Sequence, residues 1–430
     1  MNKPEIFQPQ IKIKKVSVEN FRGFGNLELE FQPDLTVLIG ENGAGKTTLL
    51  DGIANLLMVF ERKMRSKRID LKNIFNTLDI KNGQFDLSSQ IEIALNDDIR
   101  LKWQLFVTKE SYQKPQLSHY NDSKFLKKLV TTINEKQRSK QPVNIPLVVY
   151  YPTSNAPIDF IDFKNAPQNL SVDIFNAYNE ALNHKKSFHF IPFFNWYRWQ
   201  ENIERQTGQN KILDAVRDAI YNLLSDENNR FNQLSINWLN DPNGEMIIYK
   251  DEISLNINQL SSGEKTLLAL VADLARRLAI ANPHRDNPLM GNGVVLIDEI
   301  DLHWHPRWQR TVIPRLQKTF PNCQFIITTH SPLVLSHIKP ENIIILKDFK
   351  ALQNTQHTLG RDTNSILSDI MGTSARPIDM QLRIDECLNL IDEGEFKEAK
   401  QLLTKLSKIV GPNDPDIVYG NSLVNFMDDE

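Results

Sequence analysis

Cysteine is nearly absent: the 430 residues hold two, Cys323 and Cys387. Two thiols cannot build a disulfide framework, which excludes the stapled secreted scaffolds and points to a reducing, cytoplasmic setting. Long apolar runs are missing too. Stretches such as Ile145–Tyr151 fall far short of the roughly 20 residues that cross a bilayer, so no membrane role is expected. The opening residues MNKPEIFQPQIKIKK lack the apolar core of a secretory leader. Neither sign of charge dominates, since 50 basic and 53 acidic residues leave a net charge of −3. No overall field draws nucleic acid, and any such contact must come from a local patch. There are no sustained heptads, which excludes a long coiled-coil arm, and no convincing internal repeat or low-complexity tract.

What is present is a globular composition. Apolar residues make up 40% and charged residues 24%, enough for a sizeable core and for one large domain or two to three ordinary ones. Residues 11–40 read as strands. Ile11, Ile13, Val16 and Val18 lead into a turn at Asn20–Asn26, and Leu27, Leu29 and Phe31 then alternate with charges. Leu35–Ile39 is a continuous apolar run, the pattern of a strand buried on both faces. Lys46–Phe60 has helical spacing. Gln90–Leu95 and Leu101–Val107 alternate like strands, and Ile145–Tyr151 reads as another buried strand. Residues 155–250 say least, apart from the aromatic cluster Phe188–Trp199 and an amphipathic helix at Ile212–Leu224.

A second α/β block begins at Ile257. It holds a helix over about Ser262 to Ala281, a buried strand at Gly293–Ile297, a helix from Pro306, a strand at Gln324–Thr328 and a last strand at Asn342–Leu346. Past residue 360 the pattern is helical throughout: Thr363–Met371, Asp379–Glu393, Phe396–Ile409 and Pro415–Phe426. The expected division is therefore a head made of residues 1–60 and 255–350, an inserted lobe over 61–254, and a helical tail over 351–430.

Four motifs carry chemistry. Gly40–Thr47 (GENGAGKT) sits between a buried strand and a helix. Its glycines let backbone N–H groups converge on phosphate, and the helix N-terminus adds its dipole. Lys46 suits the β- and γ-phosphates, and the Thr47 hydroxyl suits Mg²⁺. Asn42, Gly43, Ala44, Gly45 and Thr48 complete the nucleotide-binding set. The second motif, Val294–Ile300 (VVLIDEI), puts Asp298 at the carboxyl end of a buried strand, where open α/β sheets bind ligands. Asp298 can hold Mg²⁺ through water, and Glu299 can act as general base on an attacking water. The third, Leu260–Glu264 (LSSGE), opens a helix. It reads equally as a capping box of Ser261 with Glu264 and as an anion site built from Ser261 and Gly263. The fourth, Ile326–Pro332 (IITTHSP), sets His330 just past a strand.

In this order the four motifs resemble the ABC-type ATPases, in the branch that includes Rad50, SMC and RecF heads. The resemblance implies an α/β head with a mixed sheet plus helices, a mainly helical inserted lobe and an all-helical C-terminal tail. It implies that ATP is sandwiched between the glycine loop of one head and Ser261 and Gly263 of a second copy, giving a homodimer or higher oligomer. It implies that Asp301 belongs to the loop after the acidic pair, that His330 is a catalytic switch, and that Arg22 in Glu19–Gly25 (ENFRGFG) lies near the nucleotide. Two places remain open for the family's glutamine loop, Gln90 and Tyr150–Thr153. Leu302–Pro306 (LHWHP) carries two histidines, read either as a metal pair or as the family's ordinary continuation of that loop.

The segments Ile297–Gln309 and Gly360–Pro377 narrow the resemblance to compact bacterial ATPases of Septu-type anti-phage systems, also found beside retrons. There the ATPase works with a separate HNH nuclease. Residues 347–430 are too few and too helical for a TOPRIM nuclease lobe, and no other nuclease cluster appears. Control of a nuclease on another chain is thus the expectation. The alternatives are a slow ATP-sensing scaffold that holds an effector inactive and a RecF-like DNA-maintenance ATPase. Leu388–Leu406 looks like a single αα-hairpin whose apolar stripe must pack on the head, on another copy or on a partner.

For nucleic acid, the best patch is Arg62–Arg68 (RKMRSKR), five basic residues in seven. DNA or RNA bound there should be released steeply as salt rises. Neutralising the five charges should abolish that binding, and filter binding at two salt concentrations checks both; salt-insensitive binding contradicts it.

Overall fold

The computed structural model describes residues 6–65, 74–96, 99–109, 123–153, 173–183, 190–239, 241–302 and 304–428. The basic run therefore lies only partly within it, ending at Arg65, and His303 lies outside. The chain separates into two compact units, residues 1–360 and 361–430.

The first unit begins with β1 (Ile11–Phe21) and β2 (Phe24–Glu30), followed by β3 (Leu35–Ile39) and α1 (Lys46–Met64). Next come β4 (Asp86–Leu95), β5 (Ile99–Thr108), α2 (Ser123–Arg138) and β6 (Leu147–Tyr151). After α3 (Ile191–Thr207) and α4 (Lys211–Leu224) run three short strands, β7 (Phe231–Asn237), β8 (Glu245–Lys250) and β9 (Ile253–Asn256). The second α/β block supplies α5 (Ser262–Ala281), β10 (Gly293–Ile297), α6 (Pro306–Thr319), β11 (Cys323–Thr328), α7 (Pro332–Leu335), β12 (Ile343–Lys347) and β13 (Lys350–Gln353).

A six-stranded sheet in the order β13-β12-β3-β11-β10-β6 forms the centre. Only its edge strand β13 runs antiparallel to its neighbour. Every residue of β3, β6, β10 and β11 is buried, as parallel strands covered on both faces must be. The antiparallel sheet β2-β1-β4-β5 lies beside it. Its strands alternate between buried and accessible residues, the mark of one solvated face. So β4, β5 and β6, although drawn from 61–254, belong to the two sheets of the head.

The buried Gln324 of β11 joins the sheets. Its amide donates to the carbonyls of Ile13 at 2.9 Å and Gln32 at 2.7 Å and accepts from the Ile13 N–H at 2.7 Å. The aromatic cluster of α3 is core, with Phe193, Phe194, Trp196 and Tyr197 buried. Two features had no sequence signal. The sheet β7-β8-β9 arises where no periodicity was legible. The strand β13 follows the expected last strand, because its four residues KALQ show no alternation and sit exposed at an edge.

Behind β6 and β10, α5 is buried along most of its length. Its Asp273 is 2% exposed. It accepts from Arg276 Nη2 at 2.6 Å, Arg277 Nε at 2.5 Å and the Tyr151 hydroxyl at 3.0 Å. Burial opposes the carboxylate, but the two guanidinium charges outweigh it and hold its pKa below the ordinary range.

In the second unit, α8 (Thr363–Asp369) precedes α9 (Ile378–Asp392), α10 (Phe396–Val410) and α11 (Pro415–Asp428). The stripe of the α9–α10 hairpin is covered within the unit. Ile417 and Val424 of α11 close over Ile384, Cys387, Ile391, Ala399, Leu403 and Leu406, so three helices share one core. Among the described residues no helix is long and apolar enough to cross a membrane.

Removing one member of a buried ion cluster strands the others. Asp273→Ala leaves two buried guanidinium groups without a carboxylate and should lower stability by about 3–5 kcal/mol. Urea denaturation measures it, and a loss below about 1 kcal/mol, the level of an exposed pair, contradicts the cluster's weight.

Candidate functional site

The phosphate loop leaves β3 at its carboxyl end and enters α1. Three of its residues have left-handed backbone, Gly40 at φ 151°, Gly43 at φ 82° and Gly45 at φ 101°. A Cβ at Gly40 would fall 2.2 Å from the Leu346 carbonyl oxygen, and one at Gly45 would fall 2.6 Å from the Phe24 ring. Glycine at those two positions is a steric requirement. Gly45 caps α1 without any side-chain hydrogen bond, so the helix's first N–H groups face the loop uncapped. Lys46 is 6% exposed, and its Nζ donates to the carbonyls of Gly40 at 2.8 Å and Glu41 at 3.0 Å. Burial pulls its pKa down, against the attraction of Asp298, Glu299 and Asp301. Asn42, Gly43 and Thr47 are exposed, Thr48 is half-buried and Ala44 is buried.

Asp298 follows β10, and the parallel register brings three hydroxyls to it. Thr47 Oγ1 donates to Oδ2 at 2.8 Å, Thr153 Oγ1 to the same oxygen at 2.7 Å and Thr328 Oγ1 to Oδ1 at 2.6 Å. Thr153 closes the segment Tyr150–Thr153, whereas Gln90 sits mid-strand in β4 opposite Ser17. Neither Thr153 nor Thr328 stands out in the sequence, because a threonine near a strand end carries no signal until the strands are aligned.

Directly after Asp298 the backbone turns. Glu299 has φ 49°, and its N–H donates to Thr328 Oγ1 at 2.7 Å. Burial raises its carboxyl pKa, and the charges of Asp298 and Asp301 raise it further, with Lys46 pulling the other way. Asp301 accepts from Thr329 Oγ1 at 2.6 Å and from the His330 N–H at 3.3 Å. His330 is half-buried; burial and then Lys46 lower its pKa, keeping the imidazole neutral at pH 7. Gln309 of α6 closes the circuit. Its amide donates to the Asp301 carbonyl at 3.3 Å, and its oxygen accepts from Ser331 Oγ at 2.7 Å.

Arg22, in the turn between β1 and β2, meets α1 at Asp51, one helical turn past Thr47. Its guanidinium donates to Asp51 Oδ2 at 2.7 Å and to Asp79 Oδ1 at 2.9 Å. The Tyr150 hydroxyl donates to the other Asp51 oxygen at 3.2 Å. Both carboxylates lie outside the 40–47 loop, Asp51 on α1 and Asp79 in the segment after it.

Ser261 and Gly263 stand elsewhere. Ser261 caps α5 in a reciprocal box, with the Glu264 N–H donating to Ser261 Oγ at 3.3 Å and the Ser261 N–H to Glu264 Oε2 at 2.7 Å. Lys250 Nζ anchors the same carboxylate at 2.8 Å. The capping-box geometry is therefore present, with Ser261 itself exposed. Both residues line a cavity of about 630 Å³ with Trp304, Arg307 and Trp308, and no residue of the 40–47 loop lines it. His305 Nδ1 accepts from the Arg307 N–H at 3.3 Å and so caps α6.

The residues fit a magnesium ion. Mg²⁺ takes one or two protein oxygens and completes its shell with phosphate and water, and the Thr47 hydroxyl and Asp298 carboxylate supply such oxygens side by side. Among the described residues no three His, Cys, Asp or Glu side chains converge as a metal cage.

The chain is similar to known proteins over most of its length. The family model described as "AAA domain, putative AbiEii toxin, Type IV TA system" matches residues 35–336. "Retron Ec83 probable ATPase" of Escherichia coli is 30% identical over 95% of this chain and 86% of its own length. "Retron Vc95 probable ATPase" of Vibrio cholerae serotype O1 biovar El Tor is 29% identical over 90% and 83%. "Septu protein PtuA" of Bacillus thuringiensis is 23% identical over 94% and 95%.

The raised carboxyl of Glu299 has a thermodynamic consequence. Its stabilising contribution is complete below the unfolded pKa and is lost as pH rises through the folded one. At neutral pH the charge is a liability that glutamine lacks. Without nucleotide, Glu299→Gln should melt above wild type at pH 7.5, and the gap should close on acidification to about pH 4, the unperturbed glutamate range. Melting curves across that range check it; a variant less stable at pH 7.5 contradicts it.

Proposed function

We propose, since the chain belongs to this AAA-domain family, that it is an ATPase of a retron- or Septu-type anti-phage system. It binds ATP with Mg²⁺ at residues 40–48, pairs with a second copy across composite sites and controls a separate effector, a nuclease. The observation that carries the nucleotide assignment is the 2.8 Å hydrogen bond between Thr47 and Asp298, residues from opposite halves of the chain. One supplies a hydroxyl at a phosphate loop and the other a carboxylate at a strand end, the two places where a P-loop NTPase holds its cation.

In this proposal the backbone of Asn42–Gly45 and the Lys46 ammonium cradle the phosphates, with Thr48 next along the helix. Thr47 and Asp298 would hold Mg²⁺, which would supply neutralising charge at the phosphates. Glu299, its basicity raised by burial and by the charges of Asp298 and Asp301, accepts a proton from the attacking water. His330, its backbone N–H bonded to Asp301 and its ring pKa lowered by burial and Lys46, faces the same group of charges and adjusts to the γ-phosphate. Arg22 positions α1 through Asp51. Support for pairing comes from Ser261 and Gly263, which border a cavity apart from the 40–47 loop and so suit a phosphate brought by a second copy. Asp301, whose backbone carbonyl accepts from the N–H of that cavity's Trp304 at 3.2 Å, joins the acidic corner to the cavity wall. The names of the relatives support the defence setting. Contact with DNA or RNA rests on the basic run that starts at Arg62.

Lys46→Ala should lose ATP binding in calorimetry. Ser261→Arg should keep binding at its own loop yet lose ATP-dependent pairing and phosphate release. If Ser261→Arg hydrolyses at the wild-type rate, the composite site is wrong. Glu299→Gln should slow phosphate release by about 100-fold or more; equal, near-zero rates in wild type and variant would point to an ATP-sensing scaffold.

A further inference from the structure

The hairpin of β12 and β13 turns on Asp348 and Phe349, between the paired Lys347 and Lys350. Both turn residues have positive φ, 49° and 57°. A two-residue turn left-handed at both positions matches the twist of its strands, and by sterics it favours Asn, Asp or Gly. Asp348 suits it. Phe349 does not, because a bulky side chain is strained there, and such strain persists only where the surroundings over-determine it.

The surroundings are the β1–β2 turn and the end of the phosphate loop. A Cβ at Gly23 would lie 2.1 Å from Phe349 Cε1, and one at Gly45 would lie 3.0 Å from Phe349 Cδ1. The Phe349 ring meets Phe24 edge-on, with centroids 5.3 Å apart and an interplanar angle of 86°. At the other end of the loop, a Cβ at Gly40 would fall 2.2 Å from the carbonyl oxygen of Leu346, in β12 itself. One hairpin thus touches both ends of the loop. A Cβ at Gly43, between them, would meet nothing within 4 Å. The ends are held and the middle is open. Turn sterics and ring packing make opposite demands at position 349, and the residue present serves the packing.

We infer that Phe349 is a positioning residue for nucleotide binding: its ring braces Gly45 at the start of α1, so that the 40–47 backbone is already shaped to receive a triphosphate. This rests on the nucleotide-binding proposal for that loop. Without the brace the loop is competent for only a fraction of the time, and apparent affinity falls by that fraction while the chemical step is untouched.

Phe349→Asn separates the two demands, because asparagine accepts the left-handed turn and removes the ring. In the full-length protein we expect a melting temperature at or above wild type, a Kd and KM for ATP raised about tenfold, as for a competent fraction near one-tenth, and kcat at saturating ATP close to wild type. A higher melting temperature with unchanged Kd would make Phe349 a turn residue only and overturn the inference, as would a fall in kcat at constant KM. Should Phe349→Asn melt lower, Phe349→Tyr and Phe349→Leu decide, since both keep the turn strain and differ in the ring. Weaker ATP binding by the leucine variant supports the brace, and equal binding overturns it. A folded wild type that binds no ATP overturns the nucleotide-binding proposal and this inference with it, whereas wild-type binding matched by Phe349→Asn overturns this inference alone.

Discussion

The Asp298 carboxylate is 5% exposed and accepts from three hydroxyls, on Thr47, Thr153 and Thr328. A carboxylate so buried is tolerable only with such donors, and the donors arrive from the start of α1, the segment after β6 and the end of β11. They meet because the parallel strands end level, with Ile297 opposite Tyr151 on one side and Ile327 on the other. A slip of one residue in either pairing would turn these side chains to the opposite face. The buried Gln324, bonded to the backbone of Ile13 and Gln32, fixes β11 along its length, and the site inherits its geometry from that alignment.

Past Asp298, the chain must split neighbouring acids among different surroundings. The left-handed backbone at Glu299 achieves this. Asp298 stays among its hydroxyls, Glu299 turns to a half-buried position where its charge is disfavoured, and Asp301 reaches Thr329 and His330. Gln309 ties that turn to α6 and to Ser331. The acidic pair and the histidine are therefore parts of one hydrogen-bonded corner. Strain and like-charge repulsion at Glu299 oppose stability there, a usual feature of sites where a pKa is tuned for chemistry.

Much of this was legible in residue order. The glycine loop between an apolar run and a helical pattern, the apolar run ending in Asp298-Glu299, and the Ser261–Glu264 box each need only local rules. The helix at Ser262–Ala281 follows from its cap and its periodicity. Less was legible where local rules are silent. Strands β7, β8 and β9 are short and lie in a segment without clear alternation. Phe349 reads as an ordinary residue after a strand, because a strained turn is a property of the folded hairpin. Arg22 was marked by its motif, but its carboxylate partners Asp51 and Asp79 were not.

By itself the sequence marked which residues are suited to phosphate, acid and capping chemistry, since glycine freedom, side-chain charge and the periodicity of apolar residues are local properties. Tertiary structure alone decided which of them meet. It aligned Thr153 and Thr328 on Asp298, placed Ser261 and Gly263 beside a cavity that residues 40–47 do not line, set Phe349 against Gly23 and Gly45, and closed α11 over the hairpin of α9 and α10. The reason is physical: strand register, helix packing and ring contacts join residues far apart in the chain, and no local pattern encodes a distance between them.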